Sequence, residues 1–337
     1  MKDERRQETE DRRPMTDETS IVRSWTVPAG EQPVRLDAFV RRCLPHLSLR
    51  EAQRAIREGA FWINGRPGNK GDRLLGGDLL SLRGARHWLA PAPLPRPDLS
   101  VIIRYEDESV LALDKPAGMA THGFSGRETD SLANFLAQAR PSLRGVGRSR
   151  WEPGLVNRLD RGTSGLVLVA KDQASFEELR SQSRRRLMKK KYWALVWGKT
   201  EKEGVIEVPL IHDPRDRKKM KTVTGVRRRG WPRSWNATTR FRRHGCSQGF
   251  SLIEVEIESG VTHQIRAHLE AAGHPLVGDP LYSASRPEPF GLGRQFLHAW
   301  HLGFRHPKNG RNVAVESPLP DELKQALDSL SILDFGF

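Results

Sequence analysis

Two short stretches of this chain hold more hydrogen-bonding side chains than a scaffold needs. Residues 157–166 read Asn-Arg-Leu-Asp-Arg-Gly-Thr-Ser-Gly-Leu, and residues 262–269 read Thr-His-Gln-Ile-Arg-Ala-His-Leu. In the first, Asp160 sits between Arg158 and Arg161 on a turn rich in Gly, Thr and Ser, directly before an apolar run at 166–170 that reads as a buried strand. An acid at the mouth of a strand is held rigidly yet stays reachable, as a catalytic nucleophile or base must be. The same Asp could close an Asx turn or pair with Arg158 or Arg161, and this stretch alone leaves both readings open. The second stretch begins a cluster of His263, His268 and His274. Their spacings of five and six put them on no single helical face, and no Cys or carboxylate pattern accompanies them, so no metal site is expected. There is no GxxxxGK[ST] phosphate loop and no GxGxxG after a strand, so no cofactor is expected either.

The elements that must position these groups follow from hydrophobic period. Residues 101–105 and 109–114 read as adjacent strands joined by a turn at 106–108, and strand signals then dominate. Helical patterns interrupt them near 131–140, 174–186 and 264–272. The expected class is α+β with a mixed, mainly antiparallel sheet over residues 100–325, followed by a tail at 326–337.

The preceding part of the chain differs in character. Residues 1–20 alternate acids and bases with almost no apolar side chain and are expected to be a disordered tail. Residues 21–86 read as a small α/β module. It has a helical pattern starting at Arg35, a second after Ser48 with Glu51 completing a capping box, a strand ending in the Asn64-Gly65 turn, and a further strand at 77–82. Arg41, Arg50 and Arg54 fall on its helices. The proline-rich residues 87–99 cannot continue either pattern and read as a linker.

Charge points to an anionic partner. Lys and Arg number 56 against 41 Asp and Glu, a net +15, which favours phosphate-rich polymers. No apolar run approaches the roughly 18–20 residues that cross a bilayer, so a soluble, cytoplasmic protein is expected. Two cysteines, Cys43 and Cys246, are too few for a disulfide framework.

Residues 159–166 resemble the catalytic-aspartate motif of the RluA/RluD-type pseudouridine synthases. Three further segments agree in order: Asp-Lys-Pro-Ala-Gly at 114–118, Lys-Tyr-Trp-Ala-Leu-Val-Trp-Gly at 191–198, and Thr-His-Gln-Ile-Arg at 262–266 through Gly278 and Asp279. Residues 296–299 and 304–307 resemble the family's closing strands, so the resemblance spans roughly 100–320. The amino-terminal module resembles the RNA-binding domain named after ribosomal protein S-four.

That resemblance implies a catalytic fold of the expected class and isomerisation of uridine to pseudouridine in structured RNA, most directly ribosomal RNA, without cofactor. Asp160 would be the nucleophile or base, Arg266 the guanidinium that holds it, and Tyr192 the ring that stacks on an extruded uracil. Arg158, Arg161, Lys115, His263 and Gln264 would contact RNA, joined by Arg41, Arg50 and Arg54 of the first module. So would Arg227, Arg228 and Arg229, in a loop whose Trp231 and Trp235 either stack on bases or pin it down. Asp279 reads as a turn-capping acid. Two positions depart from the family pattern: Asn157 replaces a usual histidine and Val261 a usual arginine, losses that bear on RNA grip. They lend weight to a noncatalytic RNA-binding or ribosome-assembly factor on a synthase scaffold; a tRNA-directed enzyme is the other alternative, since the sequence does not choose between ribosomal and transfer RNA. A monomer with no obligate protein partner is expected.

Overall fold

A computed structural model describes residues 21–45, 47–84, 88, 93–123, 129–149, 151–223 and 233–332. The expected disordered tail, the arginines at 227–229 and Trp231 lie outside them. The chain divides into two compact units, Met1–Pro91 and Ala92–Phe337.

The first unit contains β1 (Ile21–Thr26), β2 (Val34–Arg35), α1 (Leu36–Cys43), α2 (Leu49–Arg57), β3 (Phe61–Ile63), β4 (Arg66–Pro67), β5 (Arg73–Leu74) and β6 (Leu79–Arg83). Its sheet runs β1-β6-β3-β4, and β2 pairs with β5. The start of α2 is as expected: Ser48 Oγ accepts from Glu51 N–H while the Glu51 carboxylate accepts from Ser48 N–H. Asn64 and Gly65, at φ 47° and 84°, make the left-handed two-residue turn that an Asn-Gly hairpin requires. Leu36, Val40, Ile56, Phe61, Leu80 and Leu82 fill the core between helices and sheet.

The second unit contains β7 (Ile102–Glu106), β8 (Val110–Lys115), α3 (Leu132–Ala139), β9 (Ser164–Ala170), α4 (Gln173–Arg184), β10 (Lys189–Trp197), β11 (Glu203–Ile206), β12 (Leu210–His212), β13 (Met220–Thr222), β14 (Thr239–Ser247), β15 (Phe250–Ile257), α5 (Gln264–Ala271), β16 (Leu297–Arg305), β17 (Asn312–Glu316) and α6 (Asp321–Ser329). Among the described residues nine strands form one sheet, β11-β14-β15-β10-β16-β9-β8-β7 with β17 added to β16. Its pairings are antiparallel except β16 with β9, where His298 lies opposite Ser164 and Ala299 opposite Gly165. The class is α+β, as the sequence leads one to expect.

Both faces of this sheet are covered, which explains why its central strands are continuously apolar. Leu111, Val167, Val169, Ala194 and Val196 pack on one face with α3 and α5. Their neighbours Val110, Ala112, Leu166 and Leu168 pack on the other with Phe176 and Leu179 of α4, the two-residue alternation of a strand. Every residue of β9 is buried.

One element runs against expectation. Residues 326–329 belong to α6 rather than to a tail, with Leu323, Ala326 and Leu327 buried against Leu195, Leu252 and Phe296. The first unit opens with β1, completed across the sheet by β6. Among the described residues no helix is long and apolar enough to cross a membrane.

Candidate active site

Asp160 lies on the irregular segment between the β8 loop and β9, and almost every residue around it is tied down. Thr121 Oγ1 donates to the Leu159 carbonyl at 2.8 Å and accepts from Leu159 N–H at 3.0 Å. Thr163 N–H donates back to the Asp160 carbonyl. Gly118 N–H donates to the Arg161 carbonyl, Arg294 Nη1 to that of Gly162, and Gln295 Nε2 to Thr163 Oγ1. Gly162 has no room for a side chain, since a Cβ there would sit 2.4 Å from Gln295. Gly165, at φ +110°, lets β9 reach β16; a Cβ would fall 2.3 Å from the Ala299 carbonyl oxygen.

The two departures from the family pattern find places in this bracing. Asn157 Oδ1 accepts from Leu168 N–H at 2.8 Å and its amide donates to the Leu166 carbonyl, so it fastens the start of β9. Val261 packs with Trp235 and Tyr282 against buried Leu210 and Met220.

Arg266 reaches Asp160 from α5. The helix starts at His263, whose φ of 53° is left-handed and whose side chain caps nothing. Gln264, the first residue of the helix, instead braces the loops around it: its Oε1 accepts from Ser259 Oγ and Val261 N–H, and its Nε2 donates to the Thr238 carbonyl and Thr239 Oγ1. Three guanidinium nitrogens of Arg266 are then used. Nε and Nη2 donate to the two oxygens of Asp279 at 2.7 and 2.8 Å, and Nη1 donates to Asp160 Oδ2 at 3.0 Å. Asp279 is itself fixed, its Oδ1 accepting from Leu281 and Tyr282 N–H.

Burial works against both charges of this pair, yet the pairing prevails. The Asp279 carboxyl is held below the usual carboxylate range by Arg266, and Arg266 above the usual guanidinium range by Asp279 and then Asp160. The fork is aimed before any ligand arrives.

The Asp160 side chain keeps 19% of its surface exposed, while Arg266 keeps 5% and Asp279 none. His263 Nε2 stands 3.8 Å from the Asp160 carboxylate, and desolvation lowers its pKa against the pull of that acid. Tyr192 on β10 is 6% exposed and lines the same cleft; burial, then the Asp160 charge, pushes its phenol well above the ordinary tyrosine range. Tyr282 Oη donates to the Met220 carbonyl and accepts from Met220 N–H, under the Arg266 guanidinium 5.1 Å from its ring centre. The cleft holds about 570 Å³, the scale of a small-molecule site. Asp160 also borders a second hollow of about 760 Å³ beside Arg158, Arg161 and Arg294.

Asp160, Tyr192, His263 and Arg266 therefore meet at one cleft, with Arg158 on its rim. Gln264 lines the same cleft with its amide turned inward, and others named from sequence lie away from it. Lys115, expected to contact RNA, is fully buried, and its ammonium donates to the carbonyls of Pro116, Met119 and Arg161; it staples the loop after β8 to the Asp160 segment. Burial pushes its pKa down to about 7. Gln264, read the same way, is 3% exposed with its amide engaged inside the protein. Arg161 is exposed but paired with Asp130 and the Gly118 carbonyl. Arg41 and Arg50 are exposed on α1 and α2, whereas the Arg54 guanidinium lies 5.3 Å from the ring centre of Trp88. Trp235 is pinned: its backbone pairs with Leu210 and its ring meets His212 edge-on. Asp279 does more than cap a turn. Its Gly-Asp-Pro setting signals a turn, and only its burial against Arg266 discloses the second task.

His268 and His274 are spent on structure. The first bonds Thr239 and the Val208 carbonyl, the second the Trp197 carbonyl. No group of three or more metal-ligating side chains occurs among the described residues.

Comparison with known proteins agrees with this geometry. The family model described as RNA pseudouridylate synthase matches residues 109–271, and that described as the S4 domain matches residues 34–80. An uncharacterized RNA pseudouridine synthase of Chloroflexus aurantiacus is 36% identical over 90% of this chain and 92% of its own. A ribosomal large subunit pseudouridine synthase D of Neisseria meningitidis serogroup A is 36% identical over 91% of this chain and 81% of its own. The solved structure of human RNA pseudouridylate synthase domain containing 4 superposes with a TM-score of 0.53 at 23% identity, covering 68% of this chain and 92% of that one, a likeness of fold.

Proposed function

This chain belongs to the RNA pseudouridylate synthase family, and from that premise we propose that it isomerises uridines of large-subunit ribosomal RNA, with Asp160 as its catalytic carboxylate. The relatives named ribosomal large subunit pseudouridine synthase D support the choice of ribosomal over transfer RNA. A ribosomal substrate places its work in the cytoplasm, and a site assembled wholly within one chain suits a monomer.

The reaction breaks the bond from ribose to the uracil ring nitrogen, turns the base, and rejoins it through a ring carbon that then loses its proton. It needs a carboxylate aimed at the sugar and an aromatic wall for the detached base. The observation that carries the reading is the Asp279–Arg266–Asp160 relay beside Tyr192. One arm of a guanidinium fixes a reachable carboxylate because two others are fixed by a buried one. Asp160 then acts on the ribose, as nucleophile at the anomeric carbon or as base on its neighbour. Tyr192, kept protonated by its burial, stacks on the extruded uracil and can donate or relay a proton.

The test uses large-subunit RNA from cells lacking the gene, labelled with tritium at the exchangeable uracil carbon. Wild type is expected to release tritium and Asp160→Asn none, while both bind the RNA. Binding without release by wild type would instead favour a noncatalytic RNA-binding factor, and release from transfer RNA alone would move the substrate.

A further inference from the structure

One wall of the catalytic cleft carries a charge with nothing to balance it. Lys190 lies on β10 two residues before Tyr192, so strand alternation turns both side chains toward the cleft, and both line it. Lys190 is only 5% exposed. Its ammonium lies beside Gly260, in the loop before α5: a Cβ on that glycine would be 3.9 Å away. Among the described residues no acceptor bonds it and no acid pairs with it.

Its surroundings add positive charge. Arg180 of α4 lines the same wall, with Nη1 donating to the Val156 carbonyl at 2.9 Å and Nε buried without a partner. Arg148 and Arg184 line it too, and Arg186 does so while keeping Glu258 at 3.6 Å. Two acids border the cleft. Asp160 is engaged by Arg266, and Glu152 stands 3.3 Å from His122 while its charge also acts on Arg180, leaving Lys190 without an acid of its own. Burial first and the Arg180 charge second bring the Lys190 pKa down to about 8, the mark of a cation lacking a counterion. Holding an ammonium largely out of water without a partner opposes folding, and one whose tip still reaches an open cleft is placed to receive an anion.

We propose that Lys190, with Arg180 beside it, forms a subsite for one backbone phosphodiester of the RNA, adjacent to the nucleotide presented to Asp160. The proposal rests on the functional reading above and adds to it a particular contact. A phosphate entering here loses water and meets two poorly hydrated cations, so the charge-assisted bonds it makes are stronger than those to exposed arginines. Register follows from the same contact. Lys190 and Tyr192 sit on one strand at fixed spacing, so a phosphate held by the first places its neighbouring base against the second.

The experiment compares wild type, Lys190→Met and Lys190→Arg on the tritium-labelled large-subunit RNA across a salt series, with thermal melting of each protein. Methionine keeps the apolar stem and removes the charge. Its variant is expected to melt no lower than wild type, yet to raise KM about 10-fold or more, the scale of a lost charged hydrogen bond. The slope of log KM against log salt is expected to fall by about one, as for the loss of one phosphate contact. Lys190→Arg is expected to recover most of the affinity and the slope. Unchanged KM and slope in Lys190→Met would overturn the proposal, as would a lowered melting temperature with no change in salt slope, which marks a structural lysine. If wild type releases no tritium, the isomerase reading fails on its own, and the subsite is judged by the salt dependence of equilibrium binding to the same RNA.

Discussion

Replacing Asp279 by asparagine asks whether the carboxylate proposed to act on the sugar, Asp160, is aimed from behind. The substitution keeps size and shape. It also keeps Oδ1, which serves Leu281 N–H, Tyr282 N–H and Arg266 Nη2. What changes is the other oxygen: an amide NH₂ would face Arg266 Nε across the 2.7 Å now spanned by a charged bond. One buried charge-assisted bond is lost and two donors are opposed, in a side chain with no exposed surface. Losses of this kind cost about 2–4 kcal/mol, or roughly 5–15 °C in melting temperature for a unit of this size. Arg266, released from one side, is expected to swing toward Asp160 and displace the carboxylate from the sugar, lowering kcat/KM about 10- to 100-fold.

The pH dependence has a definite sign. Asp279 is held below its ordinary pKa in the folded chain, so its contribution is complete above the ordinary carboxylate range and fades as pH falls through the lowered value. Asp279→Asn should therefore flatten the acid limb of melting temperature against pH. Tritium release and thermal melting on the same preparations decide the matter. A variant that loses stability while keeping kcat/KM within about twofold would refute the idea that Asp279 aims the fork.

Tyr192→Phe retains the ring, so RNA affinity should stay within about threefold while kcat falls by about 100-fold if the hydroxyl moves a proton; unchanged kcat would leave stacking as its whole role. Ultraviolet titration should find no ionisation of Tyr192 below about pH 10, because burial and then Asp160 raise its pKa. Gly165→Ala puts a methyl 2.3 Å from the Ala299 carbonyl at a positive φ, and should cost more than about 3 kcal/mol or abolish soluble protein; a wild-type melting temperature would contradict the close approach of β9 and β16. Lys115 has a folded pKa of about 7, below that of an unfolded lysine, so the unfolded chain binds more protons above that pH. Its contribution makes stability rise from about pH 7 toward pH 10, and Lys115→Met should reduce that rise in pH-dependent melting.

The Asp160–Arg266 pair was legible because each partner stands in a contiguous polar run, and a run survives in one dimension. The capping box at Ser48 and the Asn64-Gly65 turn were legible for the same reason: their partners lie within three residues. Asp279 shows where this stops. Its bond to Arg266 spans 13 residues of helix end and irregular backbone, and no period marks it. Lys115 and Gln264 mislead in the opposite direction. A lysine before Pro-Ala-Gly and a glutamine after histidine look like surface contacts, whereas each spends its donors on main-chain carbonyls that loops would otherwise leave unsatisfied. The parallel pairing of β9 with β16 was out of reach as well, since it joins residues more than a hundred positions apart through a single glycine.

The grip of Arg294 on the Gly162 carbonyl ties the turn bearing Asp160 to the far end of the chain. Arg294 is 7% exposed, and its Nη2 leans on Glu322 in the first turn of α6, the last helix described. Until that helix has left the ribosome and settled over Leu195, Leu252 and Phe296, the turn bearing Asp160 lacks one of its fastenings. Shortening the chain before residue 321 would thus take away a brace of the Asp160 turn together with a helix of the core.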